Sequence, residues 1–342
     1  MRGLVANLAF SAVVLLLGVA GLEAASRVLV PISPGSRFVD ADGAPVEINA
    51  GPLSLAPGVA FRQVTADYDA WAHIGPLGYR EPAAAGTPEL VLLGDSFTFG
   101  QGLTDEQTFA ARYCAAALLR CANLGRPGTG TAGQVAILDH VLREYGWRPR
   151  EVKLFILAYS AGLASGNDFV DTVRELESMS ARPAPASSEQ PASQAPSSLW
   201  AALLAQRHWV LAHSNLARVL YQQFGPFLRS SLAGGSTAEG LEAGIQAMGT
   251  SLQRLQGLAD QYSFRTTIYV VHPVQDLLRR TYPETLAAVR RAAGSGATVV
   301  STAEALLDRP QAYYFPYDGH FNAAGAERVA AFLLAATPAS AR

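Results

Sequence analysis

A serine stands where a short apolar run of the chain ends. Residues 89–93 read Glu-Leu-Val-Leu-Leu and are followed by Gly94, Asp95 and Ser96. This pattern predicts a buried strand that ends in a tight turn, with Ser96 at its apex. Because ligands of parallel α/β sheets bind outside the carboxyl ends of the strands, Ser96 is a candidate nucleophile. The alternative is that Ser96 only caps the following helix, as Ser and Asp commonly do.

A serine nucleophile needs a base, a group that orients this base and donors for an oxyanion. The first candidate for the base is His320, in a loop near the C-terminus, and Asp318 stands two residues before it. At that distance Asp318 can orient the imidazole and stabilise its charged form. The second candidate is His272, which ends a predicted strand and has Asp276 nearby.

Candidate oxyanion donors follow two other predicted strands. Residues 123–128 include Gly128, where the missing side chain lets a backbone N–H approach a ligand. Asn167 lies in Gly-Asn-Asp after the next strand, and its side-chain amide can donate. Ordinary turn chemistry explains either segment alone, since Gly and Asn are common in turns. Together with Ser96 and His320, both segments favour a catalytic interpretation.

Strands and helices alternate over most of the chain. The predicted strands are Glu89–Leu93, Cys121–Leu124, Val152–Ala158, Thr266–Val271 and Ala297–Val300. The predicted helices are Thr108–Leu119, Gly133–Tyr145, Leu241–Tyr262, Pro283–Ala293 and Ala323–Ala335. Such alternation predicts a flavodoxin-like α/β domain of three layers, with a five-stranded, mainly parallel sheet between helices.

The regular domain is predicted to span residues 58–338, and it begins with an edge hairpin or packing arm around Tyr68 and Trp71. Residues 26–57 predict an irregular tether. Residues 181–198 are rich in Pro, Ala and Ser and predict a disordered surface insertion. The apolar stretch Leu199–Phe224 then predicts a lid or flanking helices.

The first 25 residues predict a membrane anchor or a signal peptide. Twenty uncharged residues separate Arg2 from Glu23, enough to span a bilayer as a helix. Arg2 favours a cytoplasmic N-terminus, which would place the remaining chain outside the cytoplasm. A cleaved signal peptide is the alternative, because residues 18–20 are small.

Composition excludes some classes of partner. Among 342 residues, 49% are hydrophobic and 16% are charged, which is typical of a folded chain. The formal net charge of −2 gives no basic footprint for nucleic acid. The two cysteines, Cys114 and Cys121, could form a disulfide in an oxidising compartment or remain buried thiols. Their spacing matches no metal motif, so no metal and no cofactor are expected.

Four blocks occur in the order found in one known family. The blocks are Gly-Asp-Ser at Ser96, Gly128, Gly-Asn-Asp at Asn167 and the late Asp318/His320 pair. Together they resemble the SGNH (GDSL-type) hydrolase superfamily over residues 87–337. The resemblance implies that Ser96 is the nucleophile, His320 the general base and Asp318 its orienting group. It also implies an oxyanion hole made of the Ser96 N–H, the Gly128 N–H and the Asn167 amide.

The Asp/His pair departs from the common pattern of that superfamily. Many members separate the two residues by two positions, whereas here only Gly319 intervenes. This resembles an Asp-x-His variant in membrane-anchored or periplasmic relatives that acetylate or deacetylate exopolysaccharide. The arm Gly78-Tyr79-Arg80 is also similar to that bacterial branch. The resemblance implies a serine esterase or O-acyltransferase that acts on O-acylated carbohydrate.

Three alternatives remain open. A lipid esterase or thioesterase would use the same residues, and a carbohydrate-binding assembly factor with an inactive triad would need none of them. Residues 128–133 fit G-x-G-x-x-G, the pattern of dinucleotide-binding folds. However, that fingerprint needs an acidic residue near the end of the next strand, and the predicted strand ends Leu-Ala-Tyr at Tyr159.

Overall fold

A computed structural model describes residues 2–29, 37–83, 86–159, 168–180, 210, 214–217, 219–220 and 237–336. The chain divides into two compact units, one of residues 1–36 and 183–233 and one of residues 37–182 and 234–342. Residues 160–167, with Asn167, and the predicted insertion at 181–198 lie outside the described residues, as does most of the stretch 199–224. Element labels below number the described helices and strands in chain order.

The first unit contains the helix α1, Arg2–Leu29. Near its end, the Glu23 carboxylate accepts hydrogen bonds from the backbone N–H groups of Asn215 and Leu216 and from the Ser214 hydroxyl, at 2.8–2.9 Å. These bonds, with that from Arg27, lower the pKa of Glu23 to about 2. The sequence predicts a membrane-spanning anchor here. Within the described part of the chain, no helix is both long and apolar enough to cross a membrane.

The second unit is built on a six-stranded sheet in the order β4-β6-β5-β7-β8-β9. Its strands are β4 Arg80–Ala83, β5 Leu90–Leu93, β6 Cys121–Asn123, β7 Glu151–Leu157, β8 Arg265–Val271 and β9 Val299–Ser301. The last five strands are parallel, which confirms the predicted parallel sheet and its flavodoxin-like order. The edge strand β4 pairs antiparallel with β6 and is absent from the sequence-based prediction.

Helices cover both faces of this sheet. They are α2 Ser96–Phe99, α3 Phe109–Ala117, α4 Thr131–Glu144, α5 Asp168–Ser180, α6 Thr237–Tyr262, α7 Val274–Arg279, α8 Tyr282–Ala293 and α9 Ala323–Ala336. Alternate strand residues face opposite layers: Val91 and Leu93 pack with α4 and α6, whereas Leu90 and Leu92 pack with α3 and α9. Because β5 is buried on both faces, its sequence is an unbroken apolar run. The central strand β5, whose carboxyl end precedes Ser96, is therefore held by packing on both of its faces.

A small antiparallel sheet precedes the parallel one. It consists of β1 Arg37–Val39, β2 Ala60–Val64 and β3 Asp69–His73. The β2–β3 hairpin corresponds to the predicted edge hairpin. Residues 37–57, assigned to a tether from the sequence, instead contribute β1 and bury Ile48 and Leu55 against Phe61 and Phe99. These scattered apolar side chains lack a regular period, so no local pattern indicates that they pack.

A disulfide joins Cys114, in α3, to Cys121, the first residue of β6, with 6.1 Å between their Cα atoms. The sequence leaves a disulfide and two free thiols equally open. The structure selects the disulfide because Leu118 ends α3 in a left-handed conformation, and the chain turns back at once. The bond ties the helix to the edge of the sheet.

Candidate active site

Ser96 is the first residue of α2, directly after the turn that ends β5. Gly94 makes this turn possible, because a Cβ there would overlap the side chain of Thr98. Asp95 caps α2, and its carboxylate accepts the N–H of Phe97 at 2.9 Å. Burial raises the pKa of Asp95 to about 6. The turn thus presents the Ser96 hydroxyl at the carboxyl end of the central strand, as the sequence predicts.

His320 reaches Ser96 from the opposite end of the chain. Its Nε2 atom lies 2.7 Å from the Ser96 Oγ atom, within hydrogen-bond reach for a base and its nucleophile. The ring packs on Phe97 with 4.6 Å between ring centroids. Gly319, with φ +84°, lets the loop before α9 turn toward Ser96. The structure therefore brings the predicted nucleophile and base together.

Asp318 holds the other side of the imidazole. Its Oδ1 atom is hydrogen-bonded to the His320 Nδ1 atom and accepts the His320 N–H at 3.4 Å. The spacing of one residue is therefore sufficient for the contact. Burial raises the pKa of Asp318, but hydrogen bonds from His320 and Tyr68 outweigh it and lower the pKa below 3.8. Asp318 is thus an ionised partner for the imidazole at neutral pH.

The β2–β3 hairpin supports this pair from a distant part of the sequence. The Tyr68 hydroxyl donates to the Asp318 Oδ2 atom at 2.9 Å, and the Gln101 amide donates to the same atom at 3.3 Å. The Asp67 carboxylate accepts the N–H groups of Tyr317 and Asp318 at 2.9 and 2.7 Å. Sequence reasoning misses these roles, because 250 residues separate Tyr68 from Asp318.

A fully buried arginine holds the far end of α2. The Arg80 guanidinium donates to the carbonyls of Phe99 and Gly100 at 2.8 and 2.6 Å and to the Asp105 carboxylate at 2.9 Å. It also lies 4.7 Å from the centroid of the Phe99 ring. These bonds satisfy carbonyls at the C-terminus of a four-residue helix, which has few internal bonds. The Gly-Tyr-Arg arm is noticeable in the sequence, but nothing there assigns this contact.

The loop that carries Gly128 lies beside the serine turn. The Arg126 N–H donates to the Gly94 carbonyl at 2.9 Å, and the Asn123 amide donates to the Thr98 carbonyl at 3.0 Å. A Cβ on Gly125 would overlap the backbone of Thr98 and Phe99, so this close approach requires glycine. Gly128 itself is exposed, with φ +75°.

The oxyanion hole remains a prediction. Two of its predicted donors, the N–H groups of Ser96 and Gly128, lie on these neighbouring segments. The third, Asn167, lies outside the described residues.

His272, the second candidate for the base, belongs to the core. Its Nε2 atom lies 2.9 Å from the Ser301 Oγ atom, and its Nδ1 atom lies 3.3 Å from the Thr285 Oγ1 atom. Burial lowers the pKa of His272 to about 4, so the ring is neutral above pH 5. Its position at the end of β8 agrees with the sequence, but its ring nitrogens bond to core hydroxyls. In the described part of the chain, no group of His, Cys, Asp or Glu side chains could hold a metal ion.

No family model and no curated protein matches the sequence. One solved structure is that of a protein assigned to the lipolytic G-D-S-L family from Desulfitobacterium hafniense DCB-2, at 12% identity and TM-score 0.40, with 71% of this chain and 96% of that chain covered.

Two further solved structures are similar to a comparable extent. An alpha/beta hydrolase enzyme from the metagenome of Lake Arreo, Spain, has 17% identity and TM-score 0.38, and the match covers 73% of this chain and 95% of that chain. A carbohydrate esterase family 2 enzyme with a carbohydrate binding domain, from Corynascus thermopiles (Myceliophthora fergusii), has 12% identity and TM-score 0.34, with coverages of 82% and 71%. Likeness of this extent establishes neither the family nor the activity of this chain.

Proposed function

We propose that this protein is a serine-dependent ester hydrolase that forms an acyl-serine intermediate. One observation carries the proposal: Ser96, His320 and Asp318 form a continuous chain of hydrogen bonds, with 2.7 Å between the Ser96 Oγ and His320 Nε2 atoms. A helix cap explains the position of Ser96 but not its contact with a histidine 224 residues away. A catalytic role as nucleophile, base and orienting carboxylate explains the positions of Ser96, His320 and Asp318 together.

The geometry supports acyl transfer in two steps. The His320 Nε2 atom accepts the Ser96 proton while the Ser96 Oγ atom attacks the ester carbonyl carbon. The tetrahedral intermediate collapses, the bond to the alcohol oxygen breaks, and His320 returns the proton to this leaving group. Water, deprotonated by His320, then attacks the acyl-serine and releases the carboxylic acid and the free serine.

Asp318 performs two functions in this scheme. Its carboxylate accepts a hydrogen bond from the Nδ1–H group, which leaves Nε2 free to accept a proton from Ser96, and its charge stabilises the imidazolium that then forms. The lowered pKa of Asp318 keeps this charge present throughout the neutral range. Protonation of Asp318 therefore does not limit the activity between pH 5 and pH 8.

For the substrate we propose an O-acylated carbohydrate, on the basis of the Asp-x-His spacing and the Gly-Tyr-Arg arm, which resemble relatives that acetylate or deacetylate exopolysaccharide. A sugar hydroxyl could replace water in the second step, which would make the protein an O-acyltransferase. We further propose that the hydrolase unit works outside the cytoplasm. The disulfide between Cys114 and Cys121 supports an oxidising compartment.

The test is turnover of p-nitrophenyl acetate by the full chain, compared with the Ser96→Ala and His320→Ala variants. We expect kcat to fall by ~10⁴-fold or more in each variant, because neither residue acts without the other. Ser180→Ala and His140→Ala are matched controls, because the Ser180 hydroxyl donates to the Leu176 carbonyl within α5 and the His140 ring packs on Tyr145. A fluorophosphonate probe should label the wild type and not Ser96→Ala.

Outcomes with added oligosaccharide separate the proposed reactions. Acetylated sugar together with faster p-nitrophenol release indicates transfer, whereas acetate alone indicates hydrolysis. Turnover and labelling that persist unchanged in Ser96→Ala would contradict the serine mechanism. A folded wild type with neither turnover nor labelling would favour a binding protein instead.

A further inference from the structure

The N-terminus of α4 is capped by side chains from α5. The Glu175 carboxylate accepts the N–H of Gly130 at 2.8 Å through Oε1 and the N–H of Gly133 at 2.7 Å through Oε2. The Thr172 hydroxyl accepts the N–H of Thr131 at 2.8 Å. The first N–H groups of a helix have no partner within the helix, and its N-terminus favours negative charge. Three of these groups therefore find their partners on α5.

This contact accounts for two glycines of the G-x-G-x-x-G pattern at 128–133. A Cβ on Gly130 would overlap the backbone nitrogen of Thr172, and a Cβ on Gly133 would overlap the Glu175 carboxylate. In a dinucleotide-binding fold the phosphates lie at the corresponding helix N-terminus. Here an internal carboxylate occupies that place. The pattern serves the packing of α5 against α4, which argues against the nucleotide-binding hypothesis.

The capped helix begins at the end of the loop that carries Gly128. The opposite end of this loop is fixed to the serine turn by the bond between the Arg126 N–H and the Gly94 carbonyl. The end near α4 begins two residues after Gly128, and Glu175 and Thr172 fix it through its backbone N–H groups. On the other side, α5 starts at Asp168, directly after Asn167 in the sequence. Glu175 thus ties the loop of one predicted oxyanion donor to the helix that follows another.

We propose that Glu175 is a positioning residue for the acyl-transfer reaction. Glu175, together with Thr172, caps α4 from α5 and so holds the Gly128 loop in place. This inference rests on the proposed function. Glu175 contacts no reacting atom and acts only through the backbone that it holds. A shift of the loop would move the Gly128 N–H away from the oxyanion while leaving Ser96 and His320 in contact.

The charge of Glu175 makes this role dependent on pH. Burial raises the pKa of Glu175 to about 7, although the N–H groups of Gly133 and Gly130 oppose the rise. The charged groups that act on it are Asp171, on α5, which raises the pKa, and Arg126, in the loop, which lowers it. Only the carboxylate can accept both N–H groups, because a protonated carboxyl presents an O–H to one of them.

The kinetic test compares Glu175→Gln with Glu177→Gln, a variant of an exposed residue on the same helix. Because loss of an oxyanion donor costs ~10²–10³ in rate, we expect its displacement in Glu175→Gln to lower kcat about 10-fold, with KM nearly unchanged. The ratio of wild-type to Glu175→Gln kcat should be largest above pH 7 and approach one below pH 6. Glu177→Gln should match the wild type throughout.

Hydrogen exchange measures the cap without reference to activity. Above pH 7, where Glu175 is charged, the backbone N–H groups of residues 129–133 should exchange about 10-fold faster in Glu175→Gln, whereas those of α9 should not change. Should Glu175→Gln fail to fold, Thr172→Val removes one bond of the three and should show a smaller effect in the same direction. Unchanged exchange overturns the proposal, and so does faster exchange with an unchanged kcat.

Failure of the proposed function gives a different result from failure of this inference. If Ser96→Ala keeps the wild-type turnover, the serine mechanism is wrong, and the exchange rates still decide whether Glu175 holds the loop. If turnover depends on Ser96 but Glu175→Gln and Glu177→Gln behave alike, the serine mechanism stands and the role of Glu175 is refuted.

Discussion

The two sides of the candidate site are held in place by different kinds of contact. The base side consists of His320, Asp318 and the β2–β3 hairpin, and side chains hold it: Tyr68 and Asp67 bond to Asp318 and its loop. The oxyanion side consists of the serine turn, the loop 124–130 and α5. Its contacts end on backbone groups, which bond either to a neighbouring backbone or to a side chain of α5, with glycines where chains approach closely.

Because the contacts differ, the two sides should respond differently to substitution. A side-chain contact on the base side can be removed without moving the backbone, so its loss should lower the rate only moderately. A glycine on the oxyanion side fixes the path of the chain itself. A new Cβ there either overlaps a neighbour or forces an unfavourable φ, so its effect should be larger.

Gly128→Ala should lower the rate more than the removal of any single side-chain contact outside the triad. Nothing lies within 4 Å of a Cβ at this position, so the cost comes from φ +75° alone. We expect the loop to relax and the donor to be lost, which lowers kcat about 10²-fold. Steady-state kinetics with p-nitrophenyl acetate measure this change.

Gly43→Ala is the matched control for this variant, because Gly43 has φ +84° and equally open space. It should cost similar stability, about 1–2 kcal/mol, and leave kcat unchanged. Equal kcat in both variants would remove Gly128 from the site.

Tyr68→Phe should have an intermediate effect. It removes one donor from the Asp318 carboxylate, while Gln101 still donates to the same oxygen. We expect kcat to fall about 10-fold, since a hydrogen bond to a charged group contributes about 1.5–3 kcal/mol and Gln101 retains a part. Tyr145→Phe should show no change, because the Tyr145 ring packs on Trp147, in the layer opposite α9. If Tyr68→Phe matches it, the hairpin does not position Asp318.

The smallest effect concerns stability against pH, where the two sides should differ in sign. The pKa of Asp318 is lowered in the folded protein, so its contribution is present above the unfolded pKa near 3.8 and is lost as pH falls. The pKa of Glu175 is raised from 4.5 to about 7, so its contribution is present below pH 4.5 and is lost as pH rises through 7.

The midpoint of thermal unfolding, Tm, tests this opposition. The difference in Tm between wild type and Asp318→Asn should grow as pH rises from 3 to 5. The Tm of wild type should fall relative to that of Glu175→Gln as pH rises from 5 to 8, because Glu175 becomes charged while Gln stays neutral. Two differences that change in the same direction would show that one of the carboxylates is misassigned.

The parallel sheet and most of its helices could be predicted from the sequence. Buried strands such as β5 and β7 are short apolar runs, and amphipathic helices such as α4 repeat their apolar residues at the helical period, so local pattern suffices. The edge strand β4 escapes prediction because its four residues include a proline and a buried arginine, which have no strand pattern. The packing of residues 37–57 escapes it for a similar reason.

By itself, the sequence determined the candidate triad and the fold that presents it. Ser96 follows an apolar strand, and His320 with Asp318 precedes a helix, so residue type and position along the chain were enough. Only the tertiary structure decided which residues hold them. Tyr68, Arg80 and Glu175 act across 19 to 250 positions of the chain, and their partners are largely backbone groups, which every residue possesses. A hydrogen bond to a backbone group does not require a particular residue type at the partner position, so only the folded structure shows it.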